Sequence, residues 1–442
     1  MEAAARSLPL PTGGGIVRPL PRQDSLVPVS LAAGLFYTIL LPEQFNPTVG
    51  GFYLPPFRVY LLGATMYILF GALRSRFRFV WPDILIILGS AWIWLAAHQT
   101  SGSLETAAVM GGSHTVDIAL AYFLARVAIR SPKDFRTFLI LIAPGLGFAS
   151  FMVALESLTH RHIFQPFASS LTGIPNRLRL EVRMGLVRGA GPFAHPIHAG
   201  ILLASFLPLY ALSGLRGWPK WLGIVASIGG IFSMSSAAML GVVVGGGLII
   251  YDWLSERIAN LTWRLFLLFS ALLYGVVELT SNSGFYGILV RYASLNSWSA
   301  YNRVLIWQYG TENVARHPWF GIGYGDWDRP SWMYSGSFDH FWLILALRWG
   351  IPNVLMLLGA TLIAIAMVAL KSRDLPIREA RTLRGVAISL SVFALGVNSV
   401  SLWLATLVWF FMLVGLSVSL GYLPAGKSTT RRAVLPSQLG RV

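Results

Sequence analysis

The sequence predicts an all-α, polytopic membrane protein of about twelve transmembrane helices, with a large extracytoplasmic loop before the tenth. Three observations carry that expectation. Apolar runs of about 20 residues, each long enough to cross a bilayer, recur along the whole chain. Only 12% of the 442 residues are charged, about half the ~25% usual in soluble domains. The arginines and lysines, finally, gather in short clusters after every second run, as the positive-inside rule requires.

The expected spans fall at 27–42, 57–73, 80–98, 106–128, 135–156, 192–213, 218–234, 236–253, 263–281, 351–370, 384–401 and 403–421. Residues 1–26 hold Arg6, Arg18 and Arg22 among prolines and glycines, without the apolar core of a signal peptide, and read as a disordered cytoplasmic tail. From there, alternation puts Arg74, Arg76 and Arg78 inside, followed by Arg126, Arg130, Lys133 and Arg136. Arg216 with Lys220, Arg257 with Arg264, and the group Lys371, Arg373, Arg378, Arg381 and Arg384 fall on the same side. Lys427, Arg431 and Arg432 lie in a second cytoplasmic tail, 424–442, so the transmembrane domain is 27–423 with both ends inside. Pro219 opens one span as a tolerated first-turn residue, while Pro144 and Pro208 are expected to kink theirs.

Composition excludes several chemistries. The chain has no cysteine, which removes disulfides, thiolate catalysis and iron–sulfur clusters. A net charge of +16 would suggest nucleic acid in a soluble protein. Here topology and anionic lipid headgroups account for most of it, and no nucleic-acid partner is expected.

Two outer segments remain large, 157–190 and 282–350. The stretch 338–370 is too long for one crossing and too short for two with a loop. Its first part, Phe338 to Gly350, is best read as a short helix at the outer interface. Gly350 and Pro352 would break it from the next span, and Trp342 and Trp349 suit the interfacial belt.

The first outer loop carries Arg161, Arg177, Arg179, Arg183 and Arg188. Cations on the side opposite the cytoplasm ask for an anionic partner there. The alternation Arg177-Leu-Arg-Leu-Glu-Val-Arg183 reads as a strand or interfacial ribbon, with Glu181 pairing a neighbouring arginine as the bland alternative. Arg188 stands among small residues just before a span, where its planar fork suits a diphosphate. His195 and His198 open that span, where a polar group is expensive unless it faces a cavity or a partner. With eight histidines and no H-x-x-x-H beside carboxylates, a metal site is not expected.

In the second loop, Tyr301 to Trp307 reads as a short helix leading into His317-Pro318-Trp319-Phe320-Gly321-Ile322-Gly323-Tyr324-Gly325. That glycine run follows no strand, so a tight turn packed by tryptophans is preferred over a nucleotide loop. Asp339-His340 opens the interfacial helix, where a carboxylate or imidazole could accept a proton from a sugar hydroxyl. An N-cap role for Asp339 is the competing reading.

Three segments together resemble the O-antigen ligase and polymerase superfamily of bacterial inner membranes. They are Arg188-Gly-Ala-Gly-Pro-Phe-Ala-His195-Pro196-Ile197, Arg303-Val-Leu-Ile-Trp307 with His317-Pro318-Trp-Phe-Gly321-Ile-Gly323, and Asp339-His340-Phe-Trp-Leu343 with Gly350. The likeness spans most of 80–420. It implies an inverting, metal-independent glycosyltransferase without a cofactor, moving glycan from undecaprenyl diphosphate to a sugar hydroxyl at the outer face. The implied partners are that lipid-linked glycan, a glycan or lipid acceptor, the bilayer, and other polysaccharide export proteins. In that reading Arg188 and Arg303 meet the leaving diphosphate, and His340 or Asp339 activates the acceptor. Arg183, His195, His198 and His317 would contact substrate.

Two departures from the family pattern stand out. Asp339-His340 occupies the place of a His-Asn pair, and no arginine follows Ser233. The aromatic Asp-His-Phe-Trp version is similar to exopolysaccharide polymerases more than to lipid A-core ligases. A lipid-linked glycan carrier without chemistry, or a membrane scaffold of an export complex, are the alternatives.

Overall fold

The computed structural model describes residues 27–49, 52–73, 77–282, 284–293, 297–333, 336–402 and 404–422. The two expected tails, with their basic residues, and Arg74 and Arg76 lie outside the described residues. The chain opens with α1 (Val27–Ile39), α2 (Pro56–Leu73) and α3 (Trp81–Ser101). A composite helix follows, made of α4 (Leu104–Thr115), a π-helical turn (Val116–Leu120) and α5 (Ala121–Ala128). Next come α6 (Pro132–Leu158), the short α7 (Phe164–Thr172), α8 (Pro196–Leu212), α9 (Trp218–Gly229), α10 (Ser236–Ser255) and α11 (Trp263–Thr280). Three further helices, α12 (Gly284–Ala293), α13 (Ser297–Arg316) and α14 (Phe341–Trp349), precede α15 (Ile351–Lys371), α16 (Ile377–Gly396) and α17 (Leu404–Gly421).

Among the described residues, nine helices are long and apolar enough to cross a membrane. This is the architecture of a membrane-embedded, polytopic helical protein. A helix stands at every expected span, though α1, α8 and α9 are shorter than the other nine. Pro144 and Pro208 sit inside α6 and α8. The basic residues Arg378, Arg381 and Arg384 lie on α16 itself, which begins earlier than its apolar run does.

Local chemistry sets the helix ends. Ser131 caps α6 by accepting the Asp134 N–H at 3.1 Å, with Pro132 in the first turn. Asp83 accepts the Val80 N–H at 2.8 Å at the start of α3, and Gly102 ends that helix in the left-handed region. Inside, α17 is buried along nearly its whole length and packs on α5, α15 and α16. Trp409 stacks on Phe206 at 4.3 Å, and a side chain at Gly415 would overlap the Tyr122 carbonyl, so α17 and α5 touch backbone to backbone. By contrast α11 buries no residue at all, as suits a lipid-facing helix.

The loop before α15 is folded. Trp327, Phe338 and residues of α13 and α14 form a second, smaller core. The glycine turn is structural, as its preferred reading has it. Ile322 and Gly323 donate their N–H groups to the carbonyls of Leu347 (2.8 Å) and Arg348 (3.1 Å) at the end of α14. Gly350 (φ 84°) separates α14 from α15, and a Cβ there would overlap the Trp319 carbonyl. Among the described residues, strand structure comes only as two antiparallel pairs of two-residue strands, β1 (Thr48–Val49) with β2 (Phe52–Tyr53) and β3 (Val182–Arg183) with β4 (Leu186–Val187). The expected ribbon over 177–183 therefore shrinks to its last two residues, because the Met184-Gly185 turn (φ 50° and 80°) folds the chain back at once.

Candidate functional site

Arg188 is set in place by a carboxylate far from it in the chain. Glu156, fully buried in the last turn of α6, accepts the N–H groups of Ile163 and Phe164 (both 3.0 Å) on one oxygen. Its other oxygen takes those of Ala190 (3.0 Å) and Gly191 (2.9 Å), and His162 approaches it at 3.3 Å. Gly189 presses on the Val153 carbonyl with no room for a Cβ. The segment after Arg188 is thus clamped to α6 backbone to backbone.

The Arg188 side chain is 2% exposed as a residue. Its Nη1 pairs with Glu181 at 2.5 Å, while Nε and Nη2 are buried without a hydrogen-bond partner. Such unmade bonds on a buried cation are costly, on the order of 1–3 kcal/mol each, unless a ligand completes them. Glu181 is thus the arginine's neighbour, as the bland reading of the loop has it, but its partner is the functional candidate. Burial works to raise the Glu181 carboxyl, yet the Arg188 hydrogen bond together with the charges of Arg188, His195 and Arg183 holds the group below the usual range.

Arg303 reaches the same place from α13. The charges of Arg303 and Arg188 both act on Asp339, and both act on Arg183. Burial raises the Asp339 carboxyl above its ordinary value, with the two arginines opposing it. The Arg183 guanidinium is lowered by burial and then by Arg188. Arg183, Arg188, Arg303 and Asp339 therefore form one electrostatic unit, drawn from two loops more than a hundred residues apart.

Asp339 and His340 have exchanged the roles weighed for them. His340, not Asp339, caps α14: its Nδ1 accepts the Leu343 N–H at 3.2 Å. Its ring lies beside those of Tyr286 (5.6 Å) and Trp307 (5.2 Å), and burial lowers its pKa to about 4. A neutral histidine with Nδ1 accepting carries its proton on Nε2, which makes that nitrogen a donor. Asp339 instead lines a cavity of about 370 Å³, together with His195, His198, His114 and Arg348.

His195 caps α8, accepting the Ile197 N–H at 3.2 Å, and also borders a second cavity of about 560 Å³ with Arg177 and Arg179. His198 hydrogen-bonds Thr406 at 2.7 Å. His317 stands apart, exposed at the end of α13 and lining neither cavity.

A polar group within the bundle escapes the reading by loops. Arg58 grips Asp117 through two hydrogen bonds (2.8 and 2.6 Å) and gives a third to the Tyr53 carbonyl (2.7 Å). Asp117 sits on the π-helical turn, a distortion often found at functional sites. An ionisable residue inside an apolar span is the signal that marks such groups, and His114, Asp117 and Glu156 all carry it. Among the described residues no group of three or more side chains could hold a metal ion.

The fold and site together define a membrane-embedded helical protein with a cluster of arginines around Asp339, which lines a cavity. No family model matches the chain, and no curated protein matches it.

Proposed function

We propose that this protein transfers glycan repeat units or chains from undecaprenyl diphosphate to a sugar hydroxyl at the outer face of the bacterial inner membrane. It is a polymerase or ligase of the O-antigen superfamily, crossing the bilayer about twelve times with both ends in the cytoplasm. One observation carries the reading. Arg188, buried with two N–H groups unmatched, shares its field with Arg303 around Asp339 at the wall of a cavity. A diphosphate brings the oxygens that such a fork lacks.

In this mechanism the acceptor hydroxyl gives its proton to Asp339 as its oxygen bonds the anomeric carbon. The bond to the diphosphate breaks on the opposite face, and the configuration inverts. Negative charge developing on the departing phosphate meets guanidinium groups already in place, so little reorganisation accompanies the step. The raised Asp339 carboxyl is a better proton acceptor than an ordinary aspartate. His340 orients α14 and offers its Nε2–H rather than taking the proton.

The test is chain growth in cells and lipid release in vitro. Arg188→Ala and Arg303→Ala are expected to abolish polymer while the protein remains in the membrane, a loss of more than about 10²-fold. Purified protein given a lipid-linked oligosaccharide should release undecaprenyl diphosphate, which a carrier would not do. Normal polymer from both variants rules the reading out. Single repeat units accumulating in a deletion strain would indicate a polymerase, and long polymer on its lipid carrier a ligase.

A further inference from the structure

The cavity that Asp339 lines has a second polar end, which the diphosphate chemistry leaves unused. Arg348 borders it from the last turn of α14, and His114 from α4. The Arg348 guanidinium lies 4.5 Å from the centre of the Tyr324 ring, and the Tyr324 hydroxyl is 2.9 Å from His114 Nε2. His114 Nδ1 is buried with no hydrogen-bond partner. No carboxylate forms an ion pair with Arg348 among the described residues, and Asp117, whose charge reaches Tyr324, is held by both oxygens on Arg58. Arg348 and His114 thus line one cavity, and the buried His114 Nδ1 beside it has no hydrogen-bond partner of its own.

This end is electrostatically distinct from the other. Asp339 responds to Arg303 and Arg188, whereas His114 responds to Arg348 and Arg58. Eight residues of helical rise separate His340 from Arg348, about 12 Å at 1.5 Å per residue. A group meeting Asp339 and one meeting Arg348 therefore stand about two helical turns apart along α14.

We infer that Arg348 and His114 form a second anion subsite, which takes a sugar-borne carboxylate or phosphate of the glycan undergoing transfer. The inference rests on the glycan-transfer reading for its ligand class, but its site shares no residue with the Arg188–Arg303 pair. In the bound state Tyr324 O–H donates to His114 Nε2, which leaves Nδ1–H to donate to the anion. Arg348 supplies charge-assisted hydrogen bonds beside it, with its face kept on the Tyr324 ring. A glycan carrying a uronic acid or a sugar phosphate would then be held at two points, its reacting hydroxyl or anomeric carbon near Asp339 and its acidic substituent near Arg348.

Direct binding tests this without turnover. The full-length protein in nanodiscs is titrated with glucuronate, glucose 1-phosphate and glucose, followed by saturation-transfer NMR. At least one anionic sugar should bind about tenfold tighter than glucose, as one charge-assisted contact implies. Whichever of the two shows the preference identifies carboxylate or phosphate as the substituent. Arg348→Gln should erase the preference, Arg348→Lys should restore part of it, and His114→Phe should weaken it. Equal binding of all three sugars overturns the inference, as does a preference that survives Arg348→Gln. So does one that vanishes in Arg188→Ala while persisting in Arg348→Gln, since the anion would then belong to the other end. Release of undecaprenyl diphosphate is scored separately, so failure of the transfer reading is seen independently of this result.

Discussion

The two ends of α16 carry charged clusters built on different principles. Near its start, Arg381 and Arg384 meet Glu256 and Asp252 from the end of α10, two cations against two anions. Arg384 lies 2.6 Å from Asp252, which is 1% exposed, and the Arg381 hydrogen bond holds Glu256 below the usual carboxylate range. Beyond its far end, Asn398 and Ser399 border a small cavity with Arg303. There Arg183, Arg188 and Arg303 stand against Glu181 and Asp339, and burial biases Asp339 toward its neutral form. A balanced cluster closes on itself and braces two helices. A cluster with cations in excess, whose Asp339 lines a cavity, leaves buried charge unmatched.

The sharpest way to break that contrast is at Asp339. Asp339→Asn should lower glycan transfer by about 10²–10⁴-fold, the usual worth of a positioned base. Only the ionised carboxyl accepts a proton, so the wild-type rate should fall as pH drops through the Asp339 pKa, which burial raises above that of an ordinary aspartate. A pH–rate profile of undecaprenyl diphosphate release checks this. An acid limb that persists unchanged in Asp339→Asn assigns the base elsewhere.

Arg303→Lys comes next, with a loss of about 10–10²-fold in the same assay, since a point charge cannot reproduce the paired fork. At the balanced end the signature inverts. Asp252→Ala should cost about 1–3 kcal/mol of stability by leaving Arg384 with Glu256 alone, with turnover per folded molecule retained. Thermal melts read beside activity decide it; silenced transfer at unchanged stability would erase the distinction between the two clusters.

The smallest effect concerns His162, whose pKa is raised chiefly by its hydrogen bond to Glu156. A histidine with a folded pKa above its unfolded value stabilises fully below the unfolded pKa, about 6.5, and that contribution fades as pH rises through the folded value. Melts at about pH 6 and about pH 8.5 should therefore differ in the wild type and converge in His162→Gln. A pH difference of equal size in the variant would detach His162 from this role.

The helices were legible because burial in lipid writes itself as long apolar runs, a signal local to each segment. Arg188 and Asp339 stood out because charges beside spans are expensive to leave idle, whereas Arg303 entered only through the family likeness. Pairings across the chain were not legible. Nothing periodic ties Arg58 to Asp117, 59 residues on, or foretells the π-helical turn that carries Asp117. Which of two adjacent residues caps α14 depends on backbone angles at a single position, and the sequence offered that role, as a competing reading, to Asp339 alone. The subsite around Arg348 was equally hidden, because it needs Tyr324 and His114 brought together from elements 210 residues apart.

Glu156 has a wider consequence. Because one carboxylate fastens both Ile163–Phe164 and Ala190–Gly191, the excursion between them is a handle riveted at both feet. Lengthening its outer arc, around the exposed turn after α7, adds only slowly growing closure entropy and leaves the rivet alone. Descendants of this chain are free to redraw that arc while the arginine at its base keeps its station.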